Sequence, residues 1–185
     1  EMGLGKTVQA VAYLQANQKI RPVLVICPKS AIGTWEREID ECMSDNKQIH
    51  ILNGKTIKNI PPANIYIINY DILSSWIDAL LDMPFELIIL DEIHRIKSRK
   101  TQRTMATQTI GKKTEKIIGL TGTPIQSRPL EIYNAISLIN PTLFPNFFQF
   151  AKRYCNAKQS KWGWDFTGSS NTQELHEILT STCMI

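Results

Sequence analysis

"LIILDEIH", from Leu87 to His94, sets four aliphatic residues in a row ahead of two carboxylates and a histidine. A strand that is apolar at every position, rather than at alternate ones, fits a parallel sheet covered by helices on both faces. Asp91 and Glu92 then fall at the carboxyl end of that strand, the edge at which open α/β sheets collect their ligands. Similar runs lie on both sides of it: "VLVIC" at Val23 to Cys27, "IHIL" at Ile49 to Leu52, "IYIIN" at Ile65 to Asn69 and "KIIGLT" at Lys116 to Thr121. Between them the sequence predicts helices over Thr7 to Gln18, Ala31 to Met43, Asp71 to Leu81 and Thr101 to Thr109. That alternation predicts βαβ units and a doubly wound α/β domain. After Pro124 the pattern changes to helices, over Leu130 to Ile139, Phe147 to Tyr154 and Gln173 to Cys183, with no clear strand and an aromatic loop, "KWGWDFTGSSN", ahead of the last.

The polar residues gather where the strands end. Pro28, Lys29 and Ser30 follow one strand, Asn69, Tyr70 and Asp71 another, Asp91 and Glu92 a third, Gly122 and Thr123 a fourth. One edge of the sheet therefore carries the chemistry. "EMGLGKT", Glu1 to Thr7, matches the second half of the nucleotide-binding pattern G-x-x-x-x-G-K-[ST]. In that pattern glycines such as Gly3 and Gly5 let backbone N–H groups cradle phosphates, while Lys6 reaches the β/γ-phosphates and the Thr7 hydroxyl ligates Mg²⁺. The first glycine of the pattern and the strand that launches it would precede Glu1, so the chain reads as part of a longer protein. An Asp-Glu pair taken alone is more often a surface acidic turn. Behind "LIIL" and beside "GLGKT", Asp91 is placed to hold Mg²⁺, directly or through water, and Glu92 to orient and polarise an attacking water. "LTGTPIQ", Leu120 to Gln126, adds Thr121 and Thr123 as small donors and Gly122 as a point of close backbone approach. By itself it would read as a turn.

Bulk properties narrow the classes. The 185 residues suffice for one core of ordinary size and a small appendage. No apolar run approaches the roughly 20 residues that span a bilayer, so no membrane role is indicated. Cys27, Cys42, Cys155 and Cys183 are far apart, with no C-x-x-C pair and no histidines at ligand spacing, which suggests neither a zinc site nor a disulfide framework and fits a reducing interior. Net charge is +4, but it is unevenly spread: eight lysines and arginines lie between Arg95 and Lys116 against Glu115 alone. Such a run is either a solvated helix face or a phosphate-tracking surface.

The three stretches, in this order, resemble helicase superfamily two and, within it, the Swi/Snf-type DNA translocases. The resemblance covers nearly the whole chain as the first RecA-like lobe of the motor: a mostly parallel sheet flanked by helices over residues 1–140, then the start of a helical protrusion over 141–185. It places Gly3, Gly5, Lys6 and Thr7 in motif I, Asp91, Glu92 and His94 in motif II, and Thr121, Gly122 and Thr123 in motif III, with Gln126 just beyond. "CPKSAIGTWEREI" resembles motif Ia, with Pro28, Lys29, Ser30 and Trp35, and "INYDIL" resembles motif Ib, with Asn69 and Tyr70. Ser98 and Ser127 depart from the pattern, standing where many relatives carry asparagine. The tail, "RYCNAKQSKWGWDFTGSSNTQELHEIL", is similar to the segment after motif III in HepA-related proteins, the annealing-helicase branch.

The resemblance implies ATP and Mg²⁺ as cofactors and duplex or branched DNA as partner, faced by motifs Ia and Ib. Lys29, Ser30, Asn69 and Tyr70 are donors able to hold phosphate oxygens without reading bases. His94, Thr121, Gly122, Thr123 and Gln126 would couple nucleotide state to DNA, although a histidine at a strand exit can equally be a satisfied structural group. Trp35 reads first as core packing on a helix. Trp162, Trp164 and Phe166 either stack on bases or anchor their own loop. An arginine from a second RecA-like lobe would complete hydrolysis, so this segment alone is expected to bind ATP weakly and turn over little or nothing. The implied setting is intracellular, in the nucleus or, depending on the host, the cytoplasm or nucleoid. Other superfamily-two motors, RNA helicases and restriction-type translocases, share the core, but "DEIH" and "TGT" differ from the D-E-A-D and S-A-T of many RNA helicases. The N-K-x-D of GTPases and the L-S-G-G-Q of transporter ATPases are missing. A nucleotide-binding scaffold that does not hydrolyse ATP is the non-enzymatic alternative.

Overall fold

A computed structural model describes residues 5–57, 59–122, 128–161 and 163–183. Five strands, β1 (Val23–Cys27), β2 (Ile49–Ile51), β3 (Ile65–Asn69), β4 (Leu87–Asp91) and β5 (Lys116–Leu120), form one parallel sheet in the order β2-β3-β1-β4-β5. β1, β3 and β4 are buried at every residue, which is why their sequences are continuously apolar.

Side chains alternate between two covered faces. On one face α1 (Lys6–Ala16) and α2 (Ile32–Cys42) bring Val11, Leu14, Trp35 and Ile39 against Val25, Cys27, Ile67 and Ile89. On the other, α3 (Leu73–Leu81) and α4 (Gln102–Gly111) bring Leu73, Trp76, Leu80 and Ile110 against Leu24, Ile26, Ile68 and Leu90. Each such aliphatic or aromatic side chain removed from water contributes about 1.5–3 kcal/mol.

Beyond the sheet lie α5 (Pro129–Ile139), α6 (Phe147–Tyr154) and α7 (Thr172–Thr182). α5 faces two ways. Ala135 and Leu138 join the sheet core, whereas Ile132, Tyr133 and Ile136 meet Phe150, Tyr154, Leu175 and Leu179 in a second core. Asn134, buried on the same helix, donates from Nδ2 to the carbonyls of Ile96 and Lys97 at 3.0 and 2.9 Å. The C-terminal helices are thus tied to the backbone just after Asp91 and Glu92.

The expected strands and helices form to within about two residues. The tail differs in one respect. A two-stranded antiparallel hairpin, β6 (Lys158–Ser160) with β7 (Gly163–Asp165), stands where a loop without strands is expected. All six of its strand residues are exposed, so there is no buried face to impose the apolar alternation from which a strand is read.

Candidate nucleotide and nucleic-acid site

α1 packs on β1 and a short connection joins Ala16 to Val23, so the helix runs antiparallel to the strands. Its N-terminus therefore stands at the carboxyl edge of the sheet, the edge on which Asp91 ends β4. Gly5 caps α1 in the left-handed region, φ 65°, a conformation glycine adopts without steric cost, and its carbonyl accepts from the Gln9 N–H at 2.9 Å. Lys6 and Thr7 open the helix, both partly exposed, where the first-turn N–H groups and the helix dipole favour an anion. Gly3 lies outside the described residues.

Asp91 is 7% exposed and held at two points. Trp35 Nε1 donates to its Oδ2 at 3.0 Å, and the Tyr70 hydroxyl donates to its backbone carbonyl at 2.9 Å. The surroundings are dry and negative. Burial, reinforced by the Asp91 charge, pushes the Cys27 thiol up to about 12, and the same two causes push the Tyr70 phenol well above its ordinary range.

The next residue leaves the strand abruptly. Glu92 adopts φ 50°, ψ 54°, left-handed for a residue with a side chain, and caps a short 3₁₀ turn over Ile93–Ile96. A conformation of this kind costs on the order of 1–3 kcal/mol and persists where the surroundings impose it. Glu92 Oε2 lies 3.1 Å from His94 Nδ1, which is also 3.2 Å from Thr121 Oγ1. A proton on Nδ1 can be shared between the two oxygens, linking the end of β4 to the residue that follows β5. Gly122 is partly exposed beside it; Thr123, Gln126 and Ser127 lie outside the described residues.

The two nucleic-acid motifs differ in presentation. Pro28 is buried, but Lys29 and Ser30 are exposed on a 3₁₀ turn, Lys29–Ala31, that runs straight into α2. Asn69 and Tyr70 are 5% and 2% exposed. The Asn69 Oδ1 accepts from the Asp71 N–H at 3.0 Å, closing the turn after β3, and the Tyr70 ring props the end of β4. Their side chains are engaged within the chain, unlike those of Lys29 and Ser30.

The basic run is partly consumed at home. Lys97 pairs with Glu131 at 3.6 Å, Arg103 with Asp71 at 2.9 Å, and Lys113 donates to the Leu81 carbonyl at 2.9 Å. Arg99 sits 4.4 Å from the centre of the Phe147 ring. In the tail, Phe166 packs on Phe147 within the second core. Trp164 is 40% exposed, edge-on to Phe148, with Lys152 Nζ 5.7 Å from its ring. Trp162 lies outside the described residues.

The donor set suits Mg²⁺. A hydroxyl and a carboxylate are hard oxygen ligands, and Mg²⁺ ordinarily takes one or two carboxylates together with phosphate oxygens and water. The contacts from Trp35 and Tyr70 were not legible in the sequence, since they join residues 56 and 21 positions apart. The signal present was general: a buried indole N–H needs an acceptor.

Residues 1–185, the whole chain, match the family model of the SNF2-related domain. The chain belongs to the SNF2-related family. Its sheet is the RecA-like fold of an SNF2 ATPase core: a Sulfolobus solfataricus SWI2/SNF2 ATPase core in complex with dsDNA matches it with a TM-score of 0.77 at 26% identity, over 98% of this chain and 37% of that one. Among curated SNF2-type relatives, the SWI/SNF-related matrix-associated actin-dependent regulator of chromatin subfamily A-like protein 1 of Bos taurus is 38% identical over 186 residues, 100% of this chain and 20% of that protein. The human DNA annealing helicase and endonuclease ZRANB3 is 34% identical over 191 residues, 97% of this chain and 18% of that protein. The chain thus spans about a fifth of the length of the curated relatives it matches.

Proposed function

We propose that this chain is the ATP-binding first lobe of an SNF2 motor that couples ATP hydrolysis to movement on duplex or branched DNA, with residues 141–185 beginning its helical protrusion. What supports the reading is the topology, in which the α1 N-terminus with Lys6 and Thr7 and the β4 end with Asp91 and Glu92 belong to the same edge of the sheet, together with the contacts of His94 to Glu92 and Thr121. Lys6 and the α1 N-terminus would hold the phosphates, and Thr7 and Asp91 would hold Mg²⁺, whose chemistry there would be to offset negative charge on the phosphate oxygens. Glu92, half-exposed next to the edge, accepts a hydrogen bond from the attacking water and polarises it. His94 and Thr121 form the path by which Thr123 and Gln126, and the DNA beyond them, would sense the nucleotide. Lys29 and Ser30 present donors to a DNA backbone. That one solved relative was captured with dsDNA and another carries "DNA annealing helicase" in its name supports DNA over RNA and a DNA-bearing intracellular compartment.

Catalysis also requires an arginine from a second RecA-like lobe. The full-length protein should therefore hydrolyse ATP when given duplex or branched DNA, and Lys6→Ala should abolish that stimulation. Stimulation by RNA alone would overturn the reading in favour of another superfamily-two motor, and no nucleotide-dependent turnover under any condition would favour a scaffold. The isolated 185-residue chain should turn over little ATP; steady DNA-independent hydrolysis that disappears in Lys6→Ala would contradict the need for a second lobe.

A further inference from the structure

We propose that Trp35 is a positioning residue for the metal-binding carboxylate, and that through it α2 ties the exposed Lys29–Ala31 turn to the Mg²⁺ site; this rests on the function proposed above for Asp91. Packing alone does not account for an indole here. Trp35 is fully buried among Val25, Ile39, Ile67 and Ile89, and any large apolar ring would fill that space. The N–H is the part that needs explaining, because a donor enclosed in an apolar layer is costly unless it finds an acceptor. Its acceptor is Oδ2 of Asp91, 3.0 Å away and itself buried.

The consequence is geometric. A carboxylate at a strand end can rotate about its Cβ–Cγ bond and present either oxygen. Trp35 holds Oδ2 of the carboxylate and the Tyr70 hydroxyl holds the backbone carbonyl of the same residue, so side chain and main chain are each anchored, and Oδ1, which has no donor among the described residues, is the oxygen left for a cation. A charge-assisted bond of this kind is stronger than a neutral one. The two clamps come from the residues that follow β1 and β3, the segments that also carry Lys29, Ser30 and Asn69. The 3₁₀ turn that exposes Lys29 and Ser30 passes into α2 without a break, and Trp35 lies one turn further along. A phosphate backbone that draws on Lys29 and Ser30 therefore acts on the seat of the indole, and so on the orientation of the oxygen that meets the ion.

The test replaces Trp35 in the full-length protein with 3-benzothienylalanine, which keeps the bicyclic shape and puts sulfur where the N–H was. Trp35→Phe serves as a second, genetically simpler variant. Mn²⁺ is titrated by electron paramagnetic resonance into the complex with a non-hydrolysable ATP analogue, with and without duplex DNA, alongside the Mg²⁺ dependence of ATPase turnover and thermal unfolding. The benzothienyl variant should unfold within a few degrees of wild type and bind DNA normally without nucleotide. It should bind Mn²⁺ several-fold more weakly, because an unheld carboxylate must give up its rotational freedom to meet the ion, and any tightening of Mn²⁺ binding by DNA should shrink. Mn²⁺ affinity equal to wild type would overturn the proposal, while the nucleotide-site reading would survive. Absence of Mn²⁺–nucleotide binding in wild type would instead overturn that reading, and the role of Trp35 with it. If Trp35→Phe fails to fold, the benzothienyl variant still decides.

Discussion

Glu92 carries two burdens, a strained backbone and the proposed activation of water, and one substitution separates them. Glycine adopts φ 50° without steric cost. Glu92→Gly should raise stability by about 1 kcal/mol, or 2–4 °C for a chain of this size, while DNA-stimulated hydrolysis falls by at least two orders of magnitude. The half-exposed contact to His94 is too weak to reverse the sign. A melting temperature at or below wild type would show that the Glu92 conformation is not strained. The cysteines give a second check. Cys27 and Cys155 are buried, with thiols pushed up to about 12 and about 11 by burial, and Cys42 is exposed. At pH 8, brief treatment of the native protein with iodoacetamide should label Cys42 and spare the other two, which react only after denaturation. Because the folded state holds these two protons more tightly, their contribution to stability is complete below the ordinary thiol value of 9.0 and is lost as pH rises toward the native values. Stability should therefore decline between about pH 9 and pH 12.

At the scale of elements, β5 and α6 show different local controls. A Cβ placed on Gly119 would lie 2.7 Å from Ile93 Cδ1 and 2.8 Å from Ile139 Cδ1, so a side chain on β5 at this point requires the ends of both isoleucines to move. Gly119→Val should cost about 1–3 kcal/mol by overpacking, and by displacing Ile93 it should also slow hydrolysis. A denaturation midpoint unchanged from wild type would mean that the two isoleucines yield freely. α6 begins at Asn146, whose Oδ1 accepts from the N–H groups of Phe148 and Gln149. Asn146→Ala should cost about 1 kcal/mol, read from urea unfolding, without touching ATP binding. The three central strands were legible because both faces are buried and their residues are apolar up to the last, Asn69 in β3 and Asp91 in β4. The β6–β7 hairpin was not, since its residues face water and carry no periodic signal.

Across the whole molecule, charge and burial sort the expected DNA contacts. Lys29 stands exposed at the start of the 3₁₀ turn that leads into α2, whereas Arg103 already pairs with Asp71. In the full-length protein, Lys29→Ala should reduce the slope of log affinity for duplex DNA against log salt by about one, and Arg103→Ala should leave it unchanged. A slope reduced by Arg103→Ala and unchanged by Lys29→Ala would mean that the basic run, not the turn after β1, tracks the backbone. The exposure of these groups had no signature in the sequence. Asn69 and Tyr70 carry the same donor chemistry as Lys29 and Ser30, yet the chain folds them inward at the end of β3.

From the sequence alone came the order and type of the central elements, the edge at which the polar residues collect, and the residue types on which the proposal of phosphate binding by Lys6, Mg²⁺ binding by Thr7 and Asp91 and water activation by Glu92 rests. Those follow from composition along the chain, which periodicity and residue type report directly. Tertiary structure decided which groups hold others in place: the Trp35 indole on Asp91, the Tyr70 hydroxyl on its carbonyl, His94 between Glu92 and Thr121. A hydrogen bond depends on an orientation and a separation of about 3 Å, and for residues far apart in the chain only folding sets either.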